Sequence, residues 1–362
     1  MTAPKDIVWP LEPHTKGKHE VLRHYLEAWL PILGLTQARI VFIDGFAGPG
    51  EYAGGEKGSP LIALDVLRQH QAKFKAEVQF RFIEKDAKRA SHLKALIDGL
   101  KPSLPEGCHA EVLPGAFDAT MTGVLDMLDA QGKKLAPAFV MVDPFGVSDT
   151  PMAVIERILR GNKSEVYVSF MYRDINRFKA TKEFMKPLTD LFGTDEWRKG
   201  IDLKGEAKKD FFYGLYESQL RKAGAKHVLH FDLYEGNQLV YAIFFATRHW
   251  LGADRMKQAI WKVVPFGGFA FHGTRSKQLT LGLETVDYAS LRKALQDRFR
   301  GEGFVTIERL AEFVGSDQTD FHTGQLKKPV LVPMETDKLI EVDPRTRKRR
   351  HTYPDGTKLR FL

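Results

Sequence analysis

The sequence predicts an α/β protein: a doubly wound, mostly parallel sheet closed by an antiparallel hairpin, with a small helical unit after it. Three observations predict it. Short apolar runs alternate with amphipathic helical segments from residue 39 to residue 170, the spacing of parallel strands joined by helical crossovers. Three of those runs end in a carboxylate, at Asp44, Glu84 and Asp143. Two β-rich runs, 226–233 and 239–247, flank Tyr234-Glu-Gly-Asn-Gln238, which reads as a hairpin turn.

A leading helix is expected at about 18–33, with Val21, Leu22, Tyr25, Leu26, Trp29 and Leu30 at helical spacing and Pro31 marking its end or a kink. The first strand is 39–44, and Ser59-Pro60 opens a helix to about Arg68 with proline in its first turn. A strand at 78–83 precedes a helix at 86–100. A third strand, 109–113, leads through Pro114-Gly115 to a helix at 117–130. The fourth strand is 138–142, the next helix 151–159 and the fifth strand 165–170. Residues 172–223 carry no strand signal and read as a helical insertion at the carboxyl edge, placed to wall a substrate site. Residues 1–262 thus form one domain, 263–285 a linker and 286–362 a separate unit. In that unit helices at 287–300, from Thr306 and at about 319–331 precede strands at 339–342 and 357–361, the order of a winged helix-turn-helix.

Composition narrows the function. At 362 residues, 43% hydrophobic and 28% charged, the chain suits a soluble globular protein. No apolar run follows a basic start, and the longest, near 240–246, falls far short of the ~20 residues that span a bilayer. A cytoplasmic protein without a membrane anchor is expected. The single cysteine, Cys108, excludes an internal disulfide framework, a thiolate zinc cluster or a cysteine-held iron–sulfur cluster. It reads as a packing residue. Net charge is +8, and residues 291–362 carry half of that excess in a fifth of the length. Arg345, Arg347, Lys348, Arg349 and Arg350 concentrate it, and in a wing they are candidates for phosphate contact. A solvated wing tip is the plainer alternative.

Asp44-Gly45-Phe46-Ala47-Gly48-Pro49-Gly50 follows the first strand directly. Glycines there let a cofactor approach the backbone, and the carboxyl edge of a parallel sheet is where α/β proteins bind ligands. Three strands ending in acids in this order resemble the class I S-adenosylmethionine (SAM) methyltransferase layout, a Rossmann-like fold. The resemblance implies that Asp44, Gly45, Phe46, Ala47, Gly48 and Gly50 receive the methionine end of SAM. Glu84, with Lys85 beside it, would hold the ribose hydroxyls, and Ala116, Phe117 and Asp118 would border the adenine. Asp143, Pro144 and Phe145 would face the acceptor. Enzymes that methylate exocyclic amines carry Asp/Asn-Pro-Pro-Tyr/Phe at this point. Asp143-Pro-Phe-Gly146 is similar to the form in tRNA guanine-N2 dimethyltransferases, with one proline replaced. The alternative is that Asp143 supports the SAM pocket and Phe145 is core.

Two motif-like stretches carry no site. His19 and His24 stand five apart, about 140° around a helix, so they cannot share one metal ion as a zincin pair would. Gly268–Arg275 lacks the Lys-Ser/Thr of a phosphate loop. Lys16-Gly-Lys18-His19, before the first helix, reads as a solvated helix start, with contact to SAM or substrate as the alternative.

A wider resemblance is to the three-Cys-motif partner protein (TcmP) family. Its carriers are Tyr25–Trp29, Asp44–Gly50, Gly58–Leu61, Asp143–Gly146 and, most family-specific, Tyr241–Gly252. This resemblance implies a methyltransferase-like fold with a C-terminal winged helix and a separate radical-SAM-like partner carrying three cysteines. Together these readings give a SAM-dependent methyltransferase acting on an amine nitrogen of a nucleic-acid base. The alternatives are a methyltransferase of a protein, peptide or small molecule, and a non-catalytic nucleic-acid-binding scaffold for the partner.

Overall fold

Apolar runs flanked by helical crossovers have one good solution, a sheet buried on both faces, and the chain adopts it. The computed structural model describes residues 6–70, 73–178, 181–235, 238–263, 269–273 and 286–362. The elements of the larger unit are α1 (Pro13–Gly34), β1 (Arg39–Asp44), α2 (Ser59–Gln69), β2 (Glu77–Glu84), α3 (Ala87–Leu100), β3 (Cys108–Pro114), α4 (Phe117–Ala130), β4 (Ala138–Val142), α5 (Met152–Leu159) and β5 (Glu165–Phe170). They continue with α6 (Tyr172–Phe178), α7 (Lys182–Phe192), α8 (Gly205–Lys222), β6 (His227–Glu235), β7 (Gln238–Thr247), α9 (Trp250–Val263) and β8 (Phe269–Gly273). The sheet order is β3-β2-β1-β4-β5-β7-β6-β8. From β3 to β5 neighbours are parallel, while β7 is antiparallel to both β5 and β6.

Alternating side chains of β1 to β7 feed two cores. Ile40, Phe42, Phe80, Phe82 and Phe139 pack with α1, α2, α3 and α9. Val41, Ile43, Val140, Val166 and Phe244 pack with α4, α5, α7 and α8. Register then brings the acids level: Asp44 lies opposite Phe82 and Met141, and Glu84 opposite Pro114, so Asp44, Glu84 and the turn after β4 share one edge.

Some expectations need correction. Pro31 neither ends nor interrupts α1, which runs on to Gly34. Within the expected linker 263–285, Phe269–Gly273 pairs antiparallel with β6, because that strand would otherwise leave an unpaired edge. The rest of the linker, and Gly236 and Asn237 of the hairpin turn, lie outside the described residues. The expected insertion 172–223 divides in two. Its second half, α8, is a core layer, burying Phe212, Tyr213, Tyr216 and Leu220 on the sheet, while α6 stands at the carboxyl edge.

The C-terminal unit runs α10 (Ala289–Phe299), β9 (Val305–Thr306), α11 (Ile307–Gly315), α12 (Val332–Thr336), β10 (Ile340–Val342) and β11 (Lys358–Phe361). Its strands form an antiparallel sheet in the order β10-β11-β9 over a core of Leu291, Leu295, Phe299, Leu310, Leu331 and Leu359. The third helix expected at 319–331 is instead a 3₁₀ turn (323–325), a π turn (327–331) and α12, since Pro329 and Pro333 break the backbone ladder. Lys257 of α9 ties the two units together by donating to the carbonyls of Val314 and Ser316 (2.6 Å each) and Thr319 (3.0 Å). Trp261 stacks on Phe321 at 5.7 Å, and Asp317 accepts from Arg221 at 2.6 Å.

Candidate functional site

After β1 the chain must turn at once and start α2. Gly48 and Gly50 make that turn with φ of +61° and +89°, a region L side chains avoid. Gly45 is required for space: a Cβ there would lie 2.4 Å from the Phe117 ring. The Gly58 N–H donates to the Gly50 carbonyl at 2.7 Å, locking the turn to the start of α2.

Glu84 braces the turn. Its Oε2 accepts the Gly48 N–H at 2.8 Å and its Oε1 the Asp86 N–H at 2.7 Å. Each carboxylate oxygen carries two lone pairs, so both can accept a further donor from the cleft that Glu84 lines. Asp44 is fully buried. Its Oδ1 accepts the Phe46 N–H at 3.1 Å, and its Oδ2 has no hydrogen-bond partner among the described residues. Burial raises its pKa to about 6, against the pull of the Ser59 hydroxyl and the Phe46 N–H.

Asp143 follows β4, and its carboxylate pairs with the Lys18 ammonium across 125 positions of sequence. Burial alone would raise the Asp143 carboxyl, but the Lys18 charge and hydrogen bond, with weaker contributions from other neighbours, together outweigh it and hold the pKa below the usual aspartate value. Lys18 also lies 5.5 Å from the Tyr241 ring centroid. His19 is buried beside it, and burial, aided by the Lys18 charge, pushes its imidazole down to about 3, so it is neutral. The expectation of a solvated helix start is thereby corrected for both residues.

Two cavities meet here. The larger, about 1120 Å³, is lined by Gly45, Glu84, Lys85, Gly115, Ala116 and Phe117, and also by Asp149 and by Arg173 and Arg177 of α6. The smaller, about 170 Å³, is lined by Ala47, Gly48, Gly50, Ser59, Lys18 and Asp143 under Trp9, Tyr52 and Tyr241. Phe46, Pro144 and Phe145 border both. Asp44 lies among neither set of lining residues, and Asp118 sits in the first turn of α4 outside the lining. Lys85 pairs with Asp149 at 2.9 Å. Cys108 is buried at the start of β3, and burial raises its thiol to about 11.

Sequence reading missed the cover. Trp9 packs edge-on against Tyr52 and Phe145, at 5.9 Å from each, and Arg89 stacks on Trp9 at 4.9 Å while donating to the Asp6 carbonyl. No local pattern marks residues 6–12 as a strap. For Lys18 a signal did exist: counting back from Leu22 and Tyr25 by four and seven places it on the apolar stripe of α1.

The basic run lies between β10 and β11. Arg345, Lys348, Arg349 and Arg350 are exposed. Arg347 turns inward: it makes a two-pronged pair with Glu335, one bond being 2.7 Å, which also accepts from the Tyr353 hydroxyl at 2.7 Å. It belongs to the unit's interior rather than to a display of cations.

No family model and no curated protein matches the chain. Solved structures similar to it include a Legionella pneumophila str. Philadelphia 1 protein of the DUF519 family, at 10% identity and TM-score 0.44 over 73% of this chain and 97% of that one. Another is an O-methyltransferase from Bacillus cereus in complex with SAH, at 12% identity and TM-score 0.35 over 62% and 80%. A third is precorrin-6y C5,15-methyltransferase from Geobacter metallireducens GS-15, at 10% identity and TM-score 0.29 over 62% and 86%. None of these likenesses is close enough to carry a residue's role across.

Proposed function

We propose that the chain is a SAM-dependent methyltransferase whose acceptor is an amine nitrogen of a nucleic-acid base. The observation that carries this reading is the convergence of the glycine turn after Asp44, Glu84, and Asp143-Pro144-Phe145 on one sheet edge, around two cavities that meet at Phe145. The residues suit SAM. Gly48 and Gly50 leave the backbone open to close approach, and behind them Asp44 is a buried acid whose Oδ2 has no hydrogen-bond partner among the described residues. Glu84 keeps lone pairs for two hydroxyls, with Ala116 and Phe117 beside it for a flat base.

When bound, SAM supplies an electrophilic methyl group on a sulfonium, so the protein's work is positioning and electrostatics. Asp143 Oδ and the Pro144 carbonyl accept the two hydrogens of an amine, which leaves the nitrogen lone pair directed away from them. Phe145 offers a face for the base, worth ~1–3 kcal/mol by comparison with single-strand binders. Lys18 keeps Asp143 anionic and oriented. A carboxylate held this acidic accepts hydrogen bonds and stabilises positive charge developing on nitrogen; it retains little affinity for the proton, which passes to solvent.

We read the C-terminal unit as a winged helix, which would make it a nucleic-acid platform with Arg345, Lys348, Arg349 and Arg350 at the wing. A three-Cys-motif partner, implied by the family resemblance, and a cytoplasmic location belong to the same proposal. Calorimetry with SAM tests the cofactor reading: Glu84→Gln is expected to weaken binding by about tenfold, a charge-assisted hydrogen bond's worth. Unchanged SAM affinity in that variant would contradict it.

A further inference from the structure

Two adjacent polar side chains of α1 wall the smaller cavity. Lys18 and His19 are each only 5% exposed, and both line it beside the Gly48–Gly50 turn. Lys18 makes one hydrogen bond, to Asp143, so two of its three ammonium N–H donors remain. His19 packs its ring on Tyr52, 5.7 Å between centroids, and its imidazole has no hydrogen-bond partner among the described residues. An imidazole buried in this way is costly unless a ligand or water completes it. Among the described lining residues Lys18 is the one cation, against the carboxylates of Glu12, Glu51 and Asp143. Asp143 is engaged by Lys18, and Glu51 pairs with His92 at 2.9 Å. A lining of both signs suits a zwitterion: a bare anion would meet three acids, and a bare cation would meet the ammonium.

We infer that Lys18 and His19 form the subsite for the carboxylate of SAM's amino-acid end. This rests on the cofactor reading and adds to it the residues that tell SAM from adenosyl compounds lacking that carboxylate. An ammonium donating to a carboxylate is among the stronger hydrogen bonds, and a buried cavity leaves little water to compete with it. His19 donates from a neutral ring, so it adds a directed bond without a second charge. Lys18 would then bridge the cofactor and Asp143, fixing the acceptor's carboxylate relative to the methyl donor.

The test is calorimetry of the full chain with SAM and with decarboxylated SAM, which differs only in lacking that carboxylate. The readout is the ratio of the two affinities, because damage common to both ligands cancels in it. Wild type should bind SAM tighter by about tenfold or more, the worth of a charge-assisted hydrogen bond. Lys18→Met/Asp143→Asn removes the ion pair together and strands no buried charge, and it should bring the ratio to about one. His19→Phe keeps a ring against Tyr52 and should lower the ratio by about threefold, one neutral hydrogen bond's worth. Should the double variant fail to fold, the wild-type ratio and His19→Phe decide the matter. Equal affinity of wild type for the two ligands, or a ratio unchanged in the variants, would overturn the subsite and leave the cofactor reading standing. A wild type that binds neither ligand would defeat the cofactor reading, and the subsite with it.

Discussion

Helix α1 touches two carboxylates, one at each end of the sheet, and treats them oppositely. Near its start Lys18 pairs with Asp143 at the carboxyl edge; two turns on, the Tyr25 hydroxyl donates to Glu165 at 2.5 Å at the amino end of β5. Glu165 also accepts from Thr247 at 2.8 Å and is sealed, with a Cβ on Gly252 leaving only 2.1 Å to its oxygen. Burial raises Glu165 to about 7 against those neutral donors, whereas a cation holds Asp143 down. A neutral partner makes a buried acid structural; a cationic one keeps it charged and available beside a cavity.

Removing the cation should have the largest effect. Lys18→Met is expected to lower methyl transfer by about 10²-fold, the scale of losing the positioning of a group at the reacting centre, while Glu165→Gln stays near wild type. Stability should separate the two acids the other way. Glu165→Ala strands the Tyr25 hydroxyl in the core and opens a cavity, costing about 2–4 kcal/mol by denaturant titration, with SAM affinity kept.

Their pH dependences are opposite in sign. Glu165, raised in the folded state, contributes stability fully present below about 4.5 and lost as pH rises through about 7. Asp143, lowered, contributes stability present above its usual 3.8 and lost as pH falls through its folded value. Stability measured between pH 4.5 and 7 should therefore decline less in Glu165→Gln than in wild type, on the order of 3 kcal/mol at most. An identical decline would place the titration elsewhere.

The smallest expected contrast lies in the wing. Arg347→Ala should cost about 1–2 kcal/mol, because Glu335 and Tyr353 lose a shared partner, while Arg345→Ala stays within about 0.5 kcal/mol. Arg345, exposed beside Asp343, should affect oligonucleotide binding instead.

Where backbone chemistry dominated, the sequence was legible. Strands β1 to β7 follow from apolar runs and turn residues, and Asp44, Glu84 and Asp143 from their places at strand ends. Pairings that depend on three-dimensional closure were not legible. Strand β8 needed the open edge of β6, Arg347 looked like its basic neighbours until Glu335 met it, and the Trp9 strap is held by Tyr52, Phe145 and Arg89 from three separate segments. Lys18 falls between these cases, since its place on the α1 stripe was visible but its charge argued for solvent.

The most direct test of the central claim is transfer of labelled methyl from SAM into fractionated RNA, DNA and protein by wild type and Asp143→Ala, with and without a three-Cys-motif partner. Label in a nucleic-acid fraction, lost in the variant, is the predicted result. No label in any fraction with the partner present, or label that survives Asp143→Ala, would contradict it.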